Sequence, residues 1–232
     1  MFKKITIAGA MSTLLILGAC GGANEEASTN NQGTQGTNQE SSTNQETKKE
    51  EDSKQDDDGN TVLEKVGEIE ESNGTTAELL ALFDGEQPVF DGDFSVTINT
   101  VKIIKITEAS EEAIQSIELN AMMDSGTLET PFTYLQTEYT VQNNTGKPIM
   151  WNEFEQTVVG KKQIDSLMTD FMVTAEEPSG TILSDTEYKG TQAIMIDNTD
   201  VDSIRYMAGT VYDDESYTEL EKGKEVTVEL ER

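Results

Sequence analysis

Apolar residues in this chain recur mostly at every second position, in short runs parted by Gly, Asn, Asp and Pro, which is the pattern of half-buried strands. After Pro131, Leu135, Tyr139 and Val141 alternate with Tyr134, Gln136, Glu138 and Gln142, and the polar run Asn143-Asn144-Thr145-Gly146-Lys147-Pro148 then predicts a turn. Further short strands are expected around 149–151, 155–159, 191–196, 203–208 and 225–230. The run 94–106 is rich in β-branched residues, but its phase slips. Val96 and Ile98 share one face and Val101 and Ile103 the other, so a bulge or a bend is expected at Asn99-Thr100.

Two segments are less regular. Residues 62–72 and 75–83 flank Asn73-Gly74, the dipeptide preferred in type I′ hairpin turns. Ala77, Leu79, Ala81 and Phe83 alternate as in a strand, whereas Leu79, Leu80, Leu82 and Phe83 also suit a short helix; the hairpin is preferred. Residues 87–92 read as punctuation between elements. Helical spacing occurs at 108–125, where Ala113, Ile114, Ile117 and Ala121 align, Ser110 can cap the start, Glu111 and Glu112 suit the first turn and Gly126 follows. A surface helix in a long strand connection is expected. Many short strands, one short helix and no fixed-period repeat predict a mainly β, antiparallel sandwich.

The first sixty residues follow different rules. Met1-Phe2-Lys3-Lys4 is a short basic start, followed by fifteen uncharged, largely apolar residues, 5–19, short of the roughly twenty a helix needs to cross a bilayer core. That is the make-up of a secretory signal. The run closes on Leu17-Gly18-Ala19-Cys20, and Cys20 is the only cysteine in the chain. This sequence resembles a bacterial lipobox, which implies diacylglycerol on the Cys20 sulfur, cleavage in front of it, and anchoring on the outer face of a membrane. Two acyl chains at about 0.8 kcal/mol per buried CH₂ hold a protein stably where one does not. From 21 to 60 the only apolar side chains are Ala23 and Ala27, and ten acids outnumber three lysines. Such a stretch cannot offset the entropy of ordering and is expected to be a disordered, self-repelling spacer. The expected organisation is therefore a lipoprotein signal peptide at 1–19, lipidated Cys20 and acidic linker at 20–60, a hairpin or short-helix extension at 61–84, and the sandwich at 85–232.

The order of features resembles Gram-positive lipoproteins that carry an immunoglobulin-like domain of the immunoprotective extracellular type. The residues that carry the likeness are 135–146, Leu-Gln-Thr-Glu-Tyr-Thr-Val-Gln-Asn-Asn-Thr-Gly, similar to a strand ending in an Asn-x-Thr turn. Residues 188–196, Tyr-Lys-Gly-Thr-Gln-Ala-Ile-Met-Ile, resemble a small-residue turn entering a strand, with Ile204-Arg205-Tyr206 after it. Ser184-Asp185-Thr186 stands where the resemblance implies a Pro-Gly-type turn, and Ile194 or Ile196 where it implies a Phe. It implies an extracellular, non-enzymatic role over about residues 85–231 and brings no catalytic residues.

Charge and residue inventory narrow the chemistry. The formal charge is −29, and residues 61–232 alone carry thirty-five acids against eleven bases. A nucleic-acid partner, which requires a basic face, is not expected, nor is direct contact with anionic headgroups. Without histidine there is no Ser-His-Asp triad or HExxH site, and one cysteine excludes an internal disulfide framework and multi-cysteine metal sites. Asn198, Asp200 and Asp202 place oxygen ligands at alternate positions as the first half of a calcium loop does, but Ser203 replaces the glycine and the distal Glu is missing. They are weak calcium candidates, and an acidic surface turn is the simpler account; Asp56-Asp57-Asp58, Asp91-Gly92-Asp93 and Asp213-Asp214-Glu215 are read the same way. Trp151 is expected in the core. No cofactor is expected. The functional expectation is a lipid-anchored, non-catalytic binding or structural module facing outward, with a protein or cell-wall partner. The alternative is a surface-attached hydrolase using carboxylates, with or without calcium.

Overall fold

The computed structural model describes residues 63–172, 178 and 180–232. Leu17, Gly18, Ala19 and Cys20, together with the whole expected spacer, lie outside the described residues. In chain order, β1 (Ile69–Ser72), β2 (Thr75–Asp91) and β3 (Phe94–Glu108) lead into α1 (Glu111–Asn120) and β4 (Phe132–Asn143). Next come β5 (Ile149–Trp151), β6 (Phe154–Val159), β7 (Lys162–Asp165), the single turn α2 (Ser166–Thr169), β8 (Thr181–Ile182) and β9 (Thr186–Met195). The chain continues through β10 (Ser203–Ala208), β11 (Val211–Asp213), β12 (Glu219–Glu221) and β13 (Glu225–Glu229).

One layer is an antiparallel sheet in the order β1-β2-β3-β4-β9. The other consists of two four-stranded sheets, β13-β10-β6-β7 and β12-β11-β5-β8. Because β5 runs on into β6, β10 into β11 and β12 into β13, these are two halves of one layer with a break across it. The break has local causes. Glu153 adopts a left-handed φ of 56°, and a Cβ on Gly223 would lie 2.4 Å from the carbonyl oxygen of Ala208. The Gly209 N–H donates to the Glu153 carbonyl and the Ala208 N–H to the Lys224 carbonyl, both at 2.8 Å, so the halves stay joined. The chain crosses between layers after β4, returns at β9 and crosses again to β10, a Greek-key path of immunoglobulin type. The expected class, a mainly β antiparallel sandwich with one short helix, is the class observed.

The main core lies between the layers. Trp151 is buried there with its ring 5.7 Å from those of Phe94 and Phe154 and 6.0 Å from that of Tyr139, and its Nε1–H donates to the Gly209 carbonyl at 3.1 Å. Tyr206 is fully buried and shares a 2.7 Å hydrogen bond with Thr137; burial pushes its phenol well above the ordinary tyrosine range. The phase slip in β3 is a bulge. Pairing with β4 passes from Ile98–Tyr139 to Thr100–Glu138 and leaves Asn99 as the extra residue. Its effect is to turn Val96, Ile98, Val101 and Ile103 into the same core, all fully buried, instead of onto opposite faces.

The outer face of the five-stranded sheet is covered in patches. Leu79, Ile104 and Ile106 pack with Leu63, and Ile117 of α1 packs with Phe171 and Ala193. The surface helix is thus where its spacing puts it. Ser110 caps it by accepting the Ala113 N–H at 3.2 Å, but it stops at Asn120 because Met122 takes a left-handed φ of 53°. The expected span of 108–125 is therefore too long at both ends.

Of the other expectations, the hairpin holds and the rest change. The hairpin forms, with Asn73 and Gly74 at φ 49° and 74°, as a type I′ turn requires. Residues 87–91, however, belong to β2. Pairing slips between Asp84 and Gln87 and again between Pro88 and Phe90, so bulges absorb Gly85 and Glu86 and then Val89 without ending the strand, while Pro88 stays paired opposite Thr97. A boundary between 84 and 85 falls inside this strand. Likewise Lys189-Gly190 is no turn but the middle of β9. Gly190 lies opposite Tyr139, whose ring atoms are within 2.5 Å of where a Cβ would stand, so the aromatic ring takes the place of a side chain.

Candidate functional site

Two polar anchors hold the connections of this sandwich. At one end, Asn143 closes β4 and is fully buried. Its Nδ2 donates to the carbonyls of Lys147, Ile182 and Leu183 at 2.9, 3.0 and 3.1 Å, while its Oδ1 accepts from the Thr145 N–H and hydroxyl at 3.1 and 2.7 Å. The Asp185 N–H donates to the Asn143 carbonyl at 2.6 Å, and Asp185 takes a left-handed φ of 57° in the turn before β9. A third turn joins the same end. Asp213 pairs with Lys147 at 2.7 Å and accepts from the Ser216 N–H and hydroxyl at 2.9 Å. The Lys147 ammonium, then the Ser216 donors, hold the Asp213 carboxyl far below the usual carboxylate range. The Asp213-Asp214-Glu215 run is therefore a capped, ion-paired turn.

The second anchor is Glu118. It sits on the buried side of α1, and its Oε1 accepts the N–H groups of Leu128 and Thr127 at 2.8 and 2.7 Å while Oε2 accepts that of Gly126 at 2.9 Å. The Leu128 and Gly126 donors outweigh desolvation and keep this carboxyl below its ordinary value. One side chain thus pins the loop that returns the chain from α1 to β4. Both lowered carboxyls are biased toward the ionised form, opposite to what a general acid requires.

Asn198, Asp200 and Asp202, the calcium candidates, line one open depression. Asn198 Oδ1 accepts the Asp200 N–H at 3.1 Å, closing the turn on itself, and the exposed Asp200 carboxylate pairs with Arg232. Neighbouring Lys161 and Arg205 line the same shallow depression, so the acidic turn has cations around it. Among the described residues, no group of three or more His, Cys, Asp or Glu side chains could hold a metal ion. Asp91-Gly92-Asp93 is the β2–β3 turn, where the Asp93 carbonyl accepts the Asn144 N–H at 2.7 Å.

Asn143 and Glu118 were not singled out by sequence, although each carries a signal. Asn143 continues the inward alternation Leu135, Thr137, Tyr139, Val141, all of them buried. Glu118 falls within the apolar stripe that includes Ile114, Ile117 and Ala121. A polar residue in phase with a core pattern marks a buried hydrogen-bonding anchor. The lipobox residues Leu17 to Cys20 lie outside the described residues. No protein-family model and no curated protein matches the chain.

Proposed function

We propose that this protein is a lipoprotein anchored through Cys20 to the outer face of the cell membrane, with its sandwich serving as a non-catalytic binding or structural module at the surface. The observation that carries the reading is the position of the sole cysteine, directly after Leu17-Gly18-Ala19 at the end of a basic-then-apolar leader. The composition of 21–60 supports it, since a polar acidic spacer about forty residues long reaches on the order of 35 Å, from roughly 5–6 Å times the square root of its length. The commitment of Glu118 and Asp213 to turn-capping also agrees with a domain whose polar groups serve architecture.

The test is incorporation of an alkyne-tagged fatty acid into the full chain expressed in a Gram-positive host. Wild type should be labelled and should partition into the detergent phase; Cys20→Ala should do neither. An unlabelled wild type, or a label that survives the substitution, overturns the reading.

A further inference from the structure

The outer face of the five-stranded sheet is covered where the ends of α1 and α2 meet. Ile117, Phe171 and Ala193 are buried together there with Leu128 and Met195 against them, and the rings of Phe171 and Tyr134 stand 5.4 Å apart. Two irregular stretches complete the cover, 121–131 after α1 and 170–172 after α2. They adjoin, because Ala121 and Met123 at the end of α1 line one open cavity of about 250 Å³ together with Thr169 at the end of α2 and Met195 of β9.

Carboxylates fasten both stretches. Glu118 gathers the N–H groups of Gly126, Thr127 and Leu128. Asp170 Oδ1 accepts the Met172 N–H and, across to β9, the Ala193 N–H, each at 2.9 Å, and the Phe171 N–H donates to the Ala193 carbonyl at 3.0 Å. The starts of the two helices are held by neutral groups as well. Ser110 caps α1, and buried Ser166 of α2 shares a 2.7 Å hydrogen bond with Thr157 of β6. Neutral groups also hold the main core, through Trp151 on Gly209 and Tyr206 with Thr137. Protonating Glu118 or Asp170 removes the charge that strengthens its bonds and places a proton among N–H donors. The neighbouring ionisable groups do not replace them. Asp124 and Glu129 of the first stretch are exposed, desolvation raises the phenol of Tyr134 on β4, and Lys162 at the cavity edge is paired with Asp197. Asp165, at the start of α2, accepts only the Met168 N–H within its own turn, at 3.3 Å.

We infer that acid opens this cover ahead of the sandwich: with Glu118 and Asp170 protonated, 121–131 and 170–172 detach, hinged on the neutral anchors Ser110 and Ser166, and uncover Ile117, Phe171 and Ala193 while the two layers stay packed. The inference is independent of the lipid anchor. Its sign follows from Glu118, whose folded value is held below the unfolded one, first by the Leu128 N–H. The fastening is therefore complete above about pH 4 and is lost as pH falls through the folded value.

The experiment is hydrogen exchange read by mass spectrometry on the full chain in neutral detergent micelles, at pH 7 and at about pH 3, with exchange times scaled to the intrinsic rate at each pH. Peptides spanning 121–131 and 170–172 should lose protection by about tenfold in acid, whereas those of β4 and β10 keep theirs. The double substitution E118Q/D170A should show that loss already at pH 7 and change little further in acid, with protection in β4 and β10 verifying that it is folded. E118Q alone should loosen 121–131 at pH 7 and leave 170–172 to respond to acid. Asp213→Asn, in the turn beside Lys147, should keep the wild-type pH response of both stretches. Unchanged protection of the cover in acid, its loss only together with β4 and β10, or a wild-type pH response in both E118Q and E118Q/D170A would each overturn the inference.

Discussion

The β4–β5 turn and the α1–β4 loop solve the same problem with different groups. Each is an irregular stretch whose backbone polar groups need partners, and each is organised by one buried side chain, Asn143 or Glu118. Asn143 supplies both donor and acceptor and stays neutral. Glu118 supplies acceptors only, and its three bonds depend on its negative charge. The amide can therefore tie loops that present carbonyls, whereas the carboxylate gathers N–H groups and makes its loop sensitive to acid.

The contrast can be broken most severely by Asn143→Asp, which aims a carboxylate at the carbonyls of Lys147, Ile182 and Leu183. Denaturant unfolding at pH 7 should show a loss of about 3–5 kcal/mol, the usual cost of an unpaired buried charge. Asn143→Ala removes the same bonds without adding charge. It should lose about 1–3 kcal/mol, by a margin that stays constant from pH 3 to pH 8.

Glu118→Gln should cost less, because an amide oxygen still serves two of the three N–H donors. Its loss should depend on pH. The folded pKa lies below the unfolded value of about 4.3, so the stabilisation is complete above that value and is lost as pH falls through the folded pKa. The gap between wild type and E118Q should thus be full at pH 6 and narrow below about pH 4; a constant gap would dissolve the distinction between the two anchors. The smallest effect is expected for Asp213→Asn, where Lys147 is partly exposed and salt screens the pair. Its lowered carboxyl gives the same sign, a deficit present above about pH 4 and fading in acid, seen as a small shift in thermal midpoint.

Legibility in the sequence followed the physics of burial. Strands with one face in the main core, such as β4 and β10, alternate cleanly, and their sequence positions match the observed strands within a residue or so. The short strands β7, β8, β11 and β12 offer too few positions for a period to register, and β2 is interrupted by bulges that imitate a turn. The α1 start was readable because a cap is a local bond between Ser110 and Ala113. Its end was not, since Met122 turns left-handed where glycine was expected four residues later. Of the site residues, the acidic turn at 198–202 looked like half a ligand set because composition does not show that Arg232 reaches Asp200.

The extra residue in β3 also says something about inheritance by insertion and deletion. Asn99 is half-buried, and its side chain accepts the Thr140 hydroxyl at 2.8 Å. Exchange for another residue is therefore a minor event. Removing it is not, because every position on one side of the gap would reverse direction, bringing Lys102 toward the aromatic interior and turning Val101 and Ile103 away from it. At this position the chain can vary in letter but not in length.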